Sequence, residues 1–251
     1  MSKPSTYYLS CAILSLAILL SGCDRLFPAA EQQTNVSDSS PAREVLAAPV
    51  YMRSDIIATP EEAQKLLMEG NERFRTGQPL SKDLSLSKRS ELMEKGQHPF
   101  AVIVCCSDSR VPPELLFDQA LGDLFIIRIA GNIITPPELG SVEYAVEHLN
   151  TPLVVVLGHE NCGAVTASVQ GGEAHGNISS ILNKIAPALE KAKSEGTSAE
   201  NLISKTTEFN VENAKLDILQ SPIIKERLAG NNVSVLGMMY DLDEGKVTIV
   251  N

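Results

Sequence analysis

The sequence predicts an α/β fold: a central, mostly parallel sheet of four strands plus an antiparallel edge strand, flanked by helices. Two observations predict it. Short apolar runs rich in β-branched residues, at 100–105, 124–129, 153–157 and 233–239, are separated by helical segments. Such continuous runs belong to strands of a parallel sheet covered on both faces. The last run, 246–250, follows the fourth after only Asp241-Leu242-Asp243-Glu244-Gly245, a turn too short for a crossover, so it lies antiparallel at an edge.

Taken in order, the chain opens with a segment outside that fold. Lys3 precedes an apolar run from Tyr8 to Leu20, too short for a comfortable membrane span. It ends in Leu20-Ser21-Gly22-Cys23, which resembles the lipobox of bacterial lipoprotein signal peptides. The resemblance implies that residues 1–22 are a signal peptide and that Cys23 is the lipidation site. It also implies a periplasmic protein, lipid-anchored in a Gram-negative bacterium, with Asp24 favouring the inner membrane. Residues 23–50, rich in Ala, Pro, Ser, Gln and Asn without a periodic apolar face, read as a flexible tether. The domain proper is expected over 51–251.

Within it, Thr59-Pro60-Glu61-Glu62 is an N-cap with Pro in the first turn, and Ala63, Leu66, Leu67 and Phe74 form a helical stripe. Residues 113–117 and 138–149 read as helical connections between the first three strands, and 162–169 as a helix after the third. Further helices are predicted across 179–193 and 199–219. With 4% aromatic residues and no Trp, the core must be built from Val, Ile, Leu and Ala. The balance of 21 basic against 31 acidic residues argues against nucleic acid as a partner.

Of five cysteines, Cys11 lies in the leader and Cys23 at its end, leaving Cys105, Cys106 and Cys162. An odd set is a poor disulfide framework for an oxidising compartment, and metal ligation explains it better. Cys106-Ser107-Asp108-Ser109-Arg110 follows the first strand, and Gly158-His159-Glu160-Asn161-Cys162-Gly163 follows the third. Sites in open α/β sheets form at the carboxyl ends of strands. If these two strands are neighbours, Cys106, His159 and Cys162 meet there and bind one Zn2+. Alternation along the strand sends Cys105 to the opposite face. The fourth position falls to Asp108 or to water, and a position left open marks a catalytic zinc. Arg110 can hold Asp108 ionised with paired hydrogen bonds.

These motifs, with Val111-Pro112-Pro113-Glu114, Gly122-Asp123-Leu124-Phe125-Ile126-Ile127-Arg128, Ala130-Gly131-Asn132, Glu143-Tyr144-Ala145-Val146 and Ala164-Val165, resemble those of β-class carbonic anhydrases of the plant-type branch. The tail from Gly237 through Tyr240 to Asp243 is similar to the family's last strands, so the resemblance runs from about Thr59 to the C-terminus. It implies reversible hydration of CO2 to bicarbonate and a proton by hydroxide held on zinc, a lyase activity. Cys106, His159 and Cys162 match the zinc ligands, and Asp108 with Arg110 matches the catalytic dyad. Gln97 matches the glutamine that binds substrate, Phe125, Ala130 and Tyr144 the lining of the CO2 pocket, and Gly163 the backbone N–H that holds bicarbonate. Glu160 departs from the Ser or Ala of many members. His98 is a candidate proton shuttle. The family also implies a homodimer or a dimer of dimers, and a closed form in which Asp108 takes the fourth zinc position. Two alternatives stay open: a zinc hydrolase of CS2 or COS, and a non-catalytic bicarbonate-binding protein.

Overall fold

The structure is a computed structural model describing residues 49–53, 56–172 and 174–250. The expected leader at 1–22, Cys23 and most of the tether lie outside the described residues. Thr59, extended and accepting from the Glu62 N–H, starts helix α1 (Pro60–Arg75) with Pro60 in its first turn, as the sequence predicts. Helix α2 (Leu86–Lys95) has no counterpart in the sequence reading, because it buries no residue and so carries no apolar stripe.

Strand β1 (Ala101–Cys105) leads through the short helix α3 (Pro113–Leu116) to strand β2 (Leu124–Arg128). A 3-10 turn at Ala130–Asn132 and helix α4 (Pro136–His148) follow, the latter opened by a Thr135–Glu138 capping box. Strand β3 (Leu153–His159) runs into α5 (Gly163–Gln170), α6 (Ile178–Ser194), α7 (Leu202–Gln220) and α8 (Pro222–Ala229). Strands β4 (Ser234–Tyr240) and β5 (Val247–Val250) complete the sheet. Helix α8, started by Ser221 and Pro222, is a second element absent from the sequence reading.

The strand order is β2-β1-β3-β4-β5, parallel throughout except for the β4–β5 pair, which is the sheet expected from the sequence. Alternation divides the core. Ala101, Ile103, Cys105, Leu153, Val155 and Leu157 pack with α1 and α3 through Leu67 and Leu116. Val102, Val104, Val154 and Val156 pack with α4, α7 and α8 through Val142, Val211 and Ile224. Each fully buried aliphatic side chain contributes about 1.5–3 kcal/mol.

This order positions the site. From β1 the chain goes to one side, to β2, and then to the other, to β3. The carboxyl ends of β1 and β3 are therefore the switch point, where the connecting loops part and leave a crevice. Strand β1 stops at Cys105 beside Leu157, while β3 continues along β4 through Gly158 and His159. His159 thus stands over the loop that begins at Cys106.

Candidate metal centre

Cys106 leaves β1 as the first loop residue, and its side chain joins a small cluster with Cys162, Val165 and Ile185. Its neighbour Cys105 faces the opposite core, where burial pushes the thiol up to about 12. After His159 the chain turns sharply. Asn161, with φ 50, takes the left-handed conformation that Asn tolerates better than most residues. Cys162 then becomes the N-cap of α5.

The ligand atoms of Cys106, His159 and Cys162 lie within 4.8 Å of one another, and all three residues are buried. The two sulfurs are 4.0 Å apart, close to the about 3.8 Å expected of two thiolates on one tetrahedral zinc. The Cys162 thiol donates to Cys106. That hydrogen bond, helped by the Gly131 N–H, holds the Cys106 thiol below its usual range and raises that of Cys162, which burial raises further. The pair releases one proton easily and retains one that a divalent cation would replace. His159 Nδ1 lies 2.8 Å from the Glu160 carbonyl, which assigns the proton to Nδ1. Nε2 is left buried without a hydrogen-bond partner. A free imidazole nitrogen costs too much to bury for nothing, and with two thiols beside it the set fits zinc.

Asp108 stands next to this cluster, Oδ2 at 4.0 Å from His159 Nε2. Arg110 grips it with Nε to Oδ1 at 3.0 Å and Nη2 to Oδ2 at 2.7 Å, while the Arg110 backbone N–H reaches Oδ1 at 2.9 Å. These bonds hold the Asp108 carboxyl well below the usual carboxylate range. In this structure Asp108 is on Arg110.

The remaining residues singled out by the sequence divide into two groups. Ala130 opens the turn whose Gly131 N–H donates to Cys106 Sγ at 3.4 Å, and Gly163 follows Cys162 at the start of α5. Gln97, His98, Phe125 and Tyr144 are not brought to the metal cluster of their own chain. Gln97 and His98 precede β1, at the end of the strand opposite Cys106, and the 5 residues of β1 span about 17 Å at strand rise. His98 lines a separate cavity of about 570 Å³ with Arg53, Leu92 and Asp123. Phe125, paired with Val102 near that same end, stacks against Tyr144 at 6.2 Å, and Tyr144 is 49% exposed.

Two contributors are missing from the sequence reading. Arg128, at the end of β2, donates to the backbone carbonyls of Asp108 at 2.6 Å and Cys106 at 3.3 Å. It clamps the Cys106–Asp108 loop against the edge strand. Asn210 on α7 donates to the Gly131 carbonyl at 2.7 Å. The one trace of Asn210 in the sequence is polar residues, Thr206, Thr207 and Asn210, on a face where the core wants aliphatics.

A family model described as carbonic anhydrase matches residues 101–247. "Carbonic anhydrase 2" of Mycobacterium tuberculosis is 40% identical over 198 residues, covering 76% of this chain and 92% of that protein. A solved Coccomyxa β-carbonic anhydrase in complex with acetazolamide is 31% identical at a TM-score of 0.58, covering 65% of this chain and 78% of that one. A tetrameric β-carbonic anhydrase from Sordaria macrospora gives a TM-score of 0.62 at 25% identity, covering 66% of this chain and 87% of that one. A match across more than half of the sequence, and a relative matched over nearly its whole length, settle the relationship that the sheet order and the Cys–His–Cys cluster suggest: the chain belongs to the β-class carbonic anhydrase family.

Proposed function

We propose that the protein is a zinc-dependent carbonate dehydratase interconverting CO2 and bicarbonate. The observation that carries this is the buried Cys106–His159–Cys162 cluster with an unpaired imidazole nitrogen, flanked by the Asp108–Arg110 pair. These three residues would hold the ion, and zinc, when bound, supplies the Lewis acidity that lets water lose a proton near neutral pH. Asp108, kept ionised by Arg110, accepts a hydrogen bond from the attacking water at Oδ2 and turns its lone pair toward carbon. Arg110 fixes that orientation, since its Nε and Nη2 each donate to one oxygen of the carboxylate. Arg128 keeps the loop that carries Asp108 from drifting.

Gln97, Phe125 and Tyr144 act on the centre of a second copy, not on their own. Their position at the far end of β1, together with the exposure of Tyr144, supports this arrangement. Mixing Cys106→Ser with Gln97→Ala subunits tests it: a mixed dimer regains one intact site, so activity rises above either parent. No gain on mixing refutes it.

The lipobox Leu20-Ser21-Gly22-Cys23 supports a periplasmic protein held by lipid on Cys23. Labelled palmitate should enter the wild type and not Cys23→Ser, and the variant should leave the membrane fraction. Label in Cys23→Ser would refute the anchor.

Stopped-flow hydration of CO2 by the zinc-loaded protein, run beside a CS2 assay, tests the activity. Turnover of CO2 is expected. Zinc-loaded protein without CO2 turnover would overturn the proposal, and turnover of CS2 alone would assign a different cumulated substrate.

A further inference from the structure

Helix α7 turns three polar residues into the interior, and Thr206, Thr207 and Asn210 are all fully buried. Asn210 has a visible task. Its Nδ2 donates to the Gly131 carbonyl at 2.7 Å, a buried bond across 79 residues of sequence. Gly131 lies in the left-handed region, φ 73 and ψ 17, and its own N–H donates to Cys106 Sγ at 3.4 Å. A Cβ at this position would come within 2.9 Å of Ile185 Cδ1 and 3.2 Å of Ala164 Cβ. The turn is therefore pressed between α5 and α6 on its apolar side and latched by α7 through one amide.

We infer that Asn210 is a positioning residue of the metal centre: by holding the Gly131 carbonyl it fixes the turn on one side of the Gly131 Cα, so that the Gly131 N–H on the other side stays aimed at the Cys106 sulfur. The inference rests on the zinc reading above and adds to it a residue that touches neither metal nor substrate. The physical reason is charge. Two thiolates cancel the double charge of a zinc ion and blunt it as a Lewis acid. An N–H donor on one sulfur draws charge back from the metal bond. Glycine has more conformational freedom than any other residue, so without the Asn210 latch Gly131 is the part of the turn that relaxes. The Gly131 carbonyl would also be left buried without its partner.

The experiment compares wild type, Asn210→Leu and, as a control for stability alone, Ser221→Ala, which removes the side-chain cap of α8. Each is studied as the cobalt(II)-substituted protein, reading the thiolate-to-cobalt charge-transfer absorption, and as the zinc protein, reading zinc affinity by chelator competition. Losing the N–H donor raises the energy of the sulfur lone pairs. The charge-transfer band of Asn210→Leu should therefore move to lower energy, and its zinc affinity should fall by about tenfold or more because the loosened turn no longer orients the Cys106 sulfur. Ser221→Ala should melt earlier with both readings unchanged. Should Asn210→Leu not fold, the same readings on Asn210→Ser decide, because serine is too short to reach Gly131. A band at the wild-type energy, with zinc affinity within about twofold of wild type, would overturn the assignment whatever happened to the melting temperature. Failure of the underlying zinc reading looks different: the wild-type cobalt protein would itself lack the thiolate band.

Discussion

An Arg110→Ala variant takes two hydrogen bonds from Asp108, those at 3.0 and 2.7 Å, and leaves the backbone N–H of residue 110 on Oδ1 at 2.9 Å. The carboxylate can then pivot about that single bond. Oδ2 is the atom freed, and it starts 4.0 Å from His159 Nε2, so a swing of an ångström or two carries it among the metal ligands. A group displaced by about 1 Å from its working geometry costs about 10²-fold in rate, which is the loss of CO2 turnover expected here. Folding should hardly change, because the Arg110 side chain is 53% exposed and surface pairs contribute little. The Asp108 carboxyl, no longer held down by Arg110, should also rise toward the ordinary carboxylate range. Stopped-flow hydration with a pH indicator, zinc content and a melting curve read the three quantities on one preparation. Turnover within about threefold of wild type at full zinc occupancy would refute the role of the pair. Loss of zinc from the variant would show instead that Arg110 holds the site together.

Four further outcomes follow from the same geometry. Cys105→Ala should keep full zinc and activity, since Cys105 lies in the opposite core from Cys106; zinc loss in this variant would reverse the assignment of the two thiols. Gly158→Ala places a Cβ 2.5 Å from Val211 Cγ2 and 2.7 Å from Met239 Sδ, so denaturant unfolding should show a loss of about 1–3 kcal/mol, with weaker zinc binding because His159 is next along β3. Burial pushes the Asp118 carboxyl up, but hydrogen bonds from Arg73 and Lys82 and the Leu80 N–H outweigh it and hold it below the ordinary range. Its stabilisation is therefore whole above the unfolded value, near 3.9, and lost as pH falls through the folded one. Asp118→Asn should lose about 2 kcal/mol at neutral pH and show a shallower decline below pH 4 in acid titration of stability. Chelation should lower the melting temperature, the protein with zinc a thousandfold above its Kd being about 4 kcal/mol more stable; superimposable melts would argue against a metal bound to the native state.

Much of the sheet is legible because its physics is local. A run such as Val102-Ile103-Val104 is apolar on both faces whatever surrounds it, and Thr59-Pro60 starts a helix through its own cap. Helix α2 escapes the reading because it buries nothing, and α8 because eight residues after a long helix carry no period of their own. The boundaries of β3 and β4 differ by two residues or fewer from expectation, but for β3 the difference carries weight. Its extension to His159 comes from pairing with β4, and this lifts the imidazole over the Cys106 loop.

At the centre the division is equally physical. The chemistry is written along the chain: two thiols, one imidazole and a carboxylate–guanidinium pair, at spacings that match one enzyme family. It can be read there because donor identity and short-range spacing are properties of neighbours along the chain. Folding in three dimensions is what sets β1 beside β3, leaves Nε2 of His159 as the nitrogen without a hydrogen bond, and puts Asp108 on Arg110. It also places Gln97 before β1 and Phe125, beside Val102 and against Tyr144, toward the end of the sheet away from Cys106, and joins Asn210 to the Gly131 carbonyl and the Gly131 N–H to the Cys106 sulfur. Those facts depend on which strand lies beside which and on where a helix is pressed against a turn. They are contacts between residues tens of positions apart, made by packing, and no local pattern along the chain encodes them.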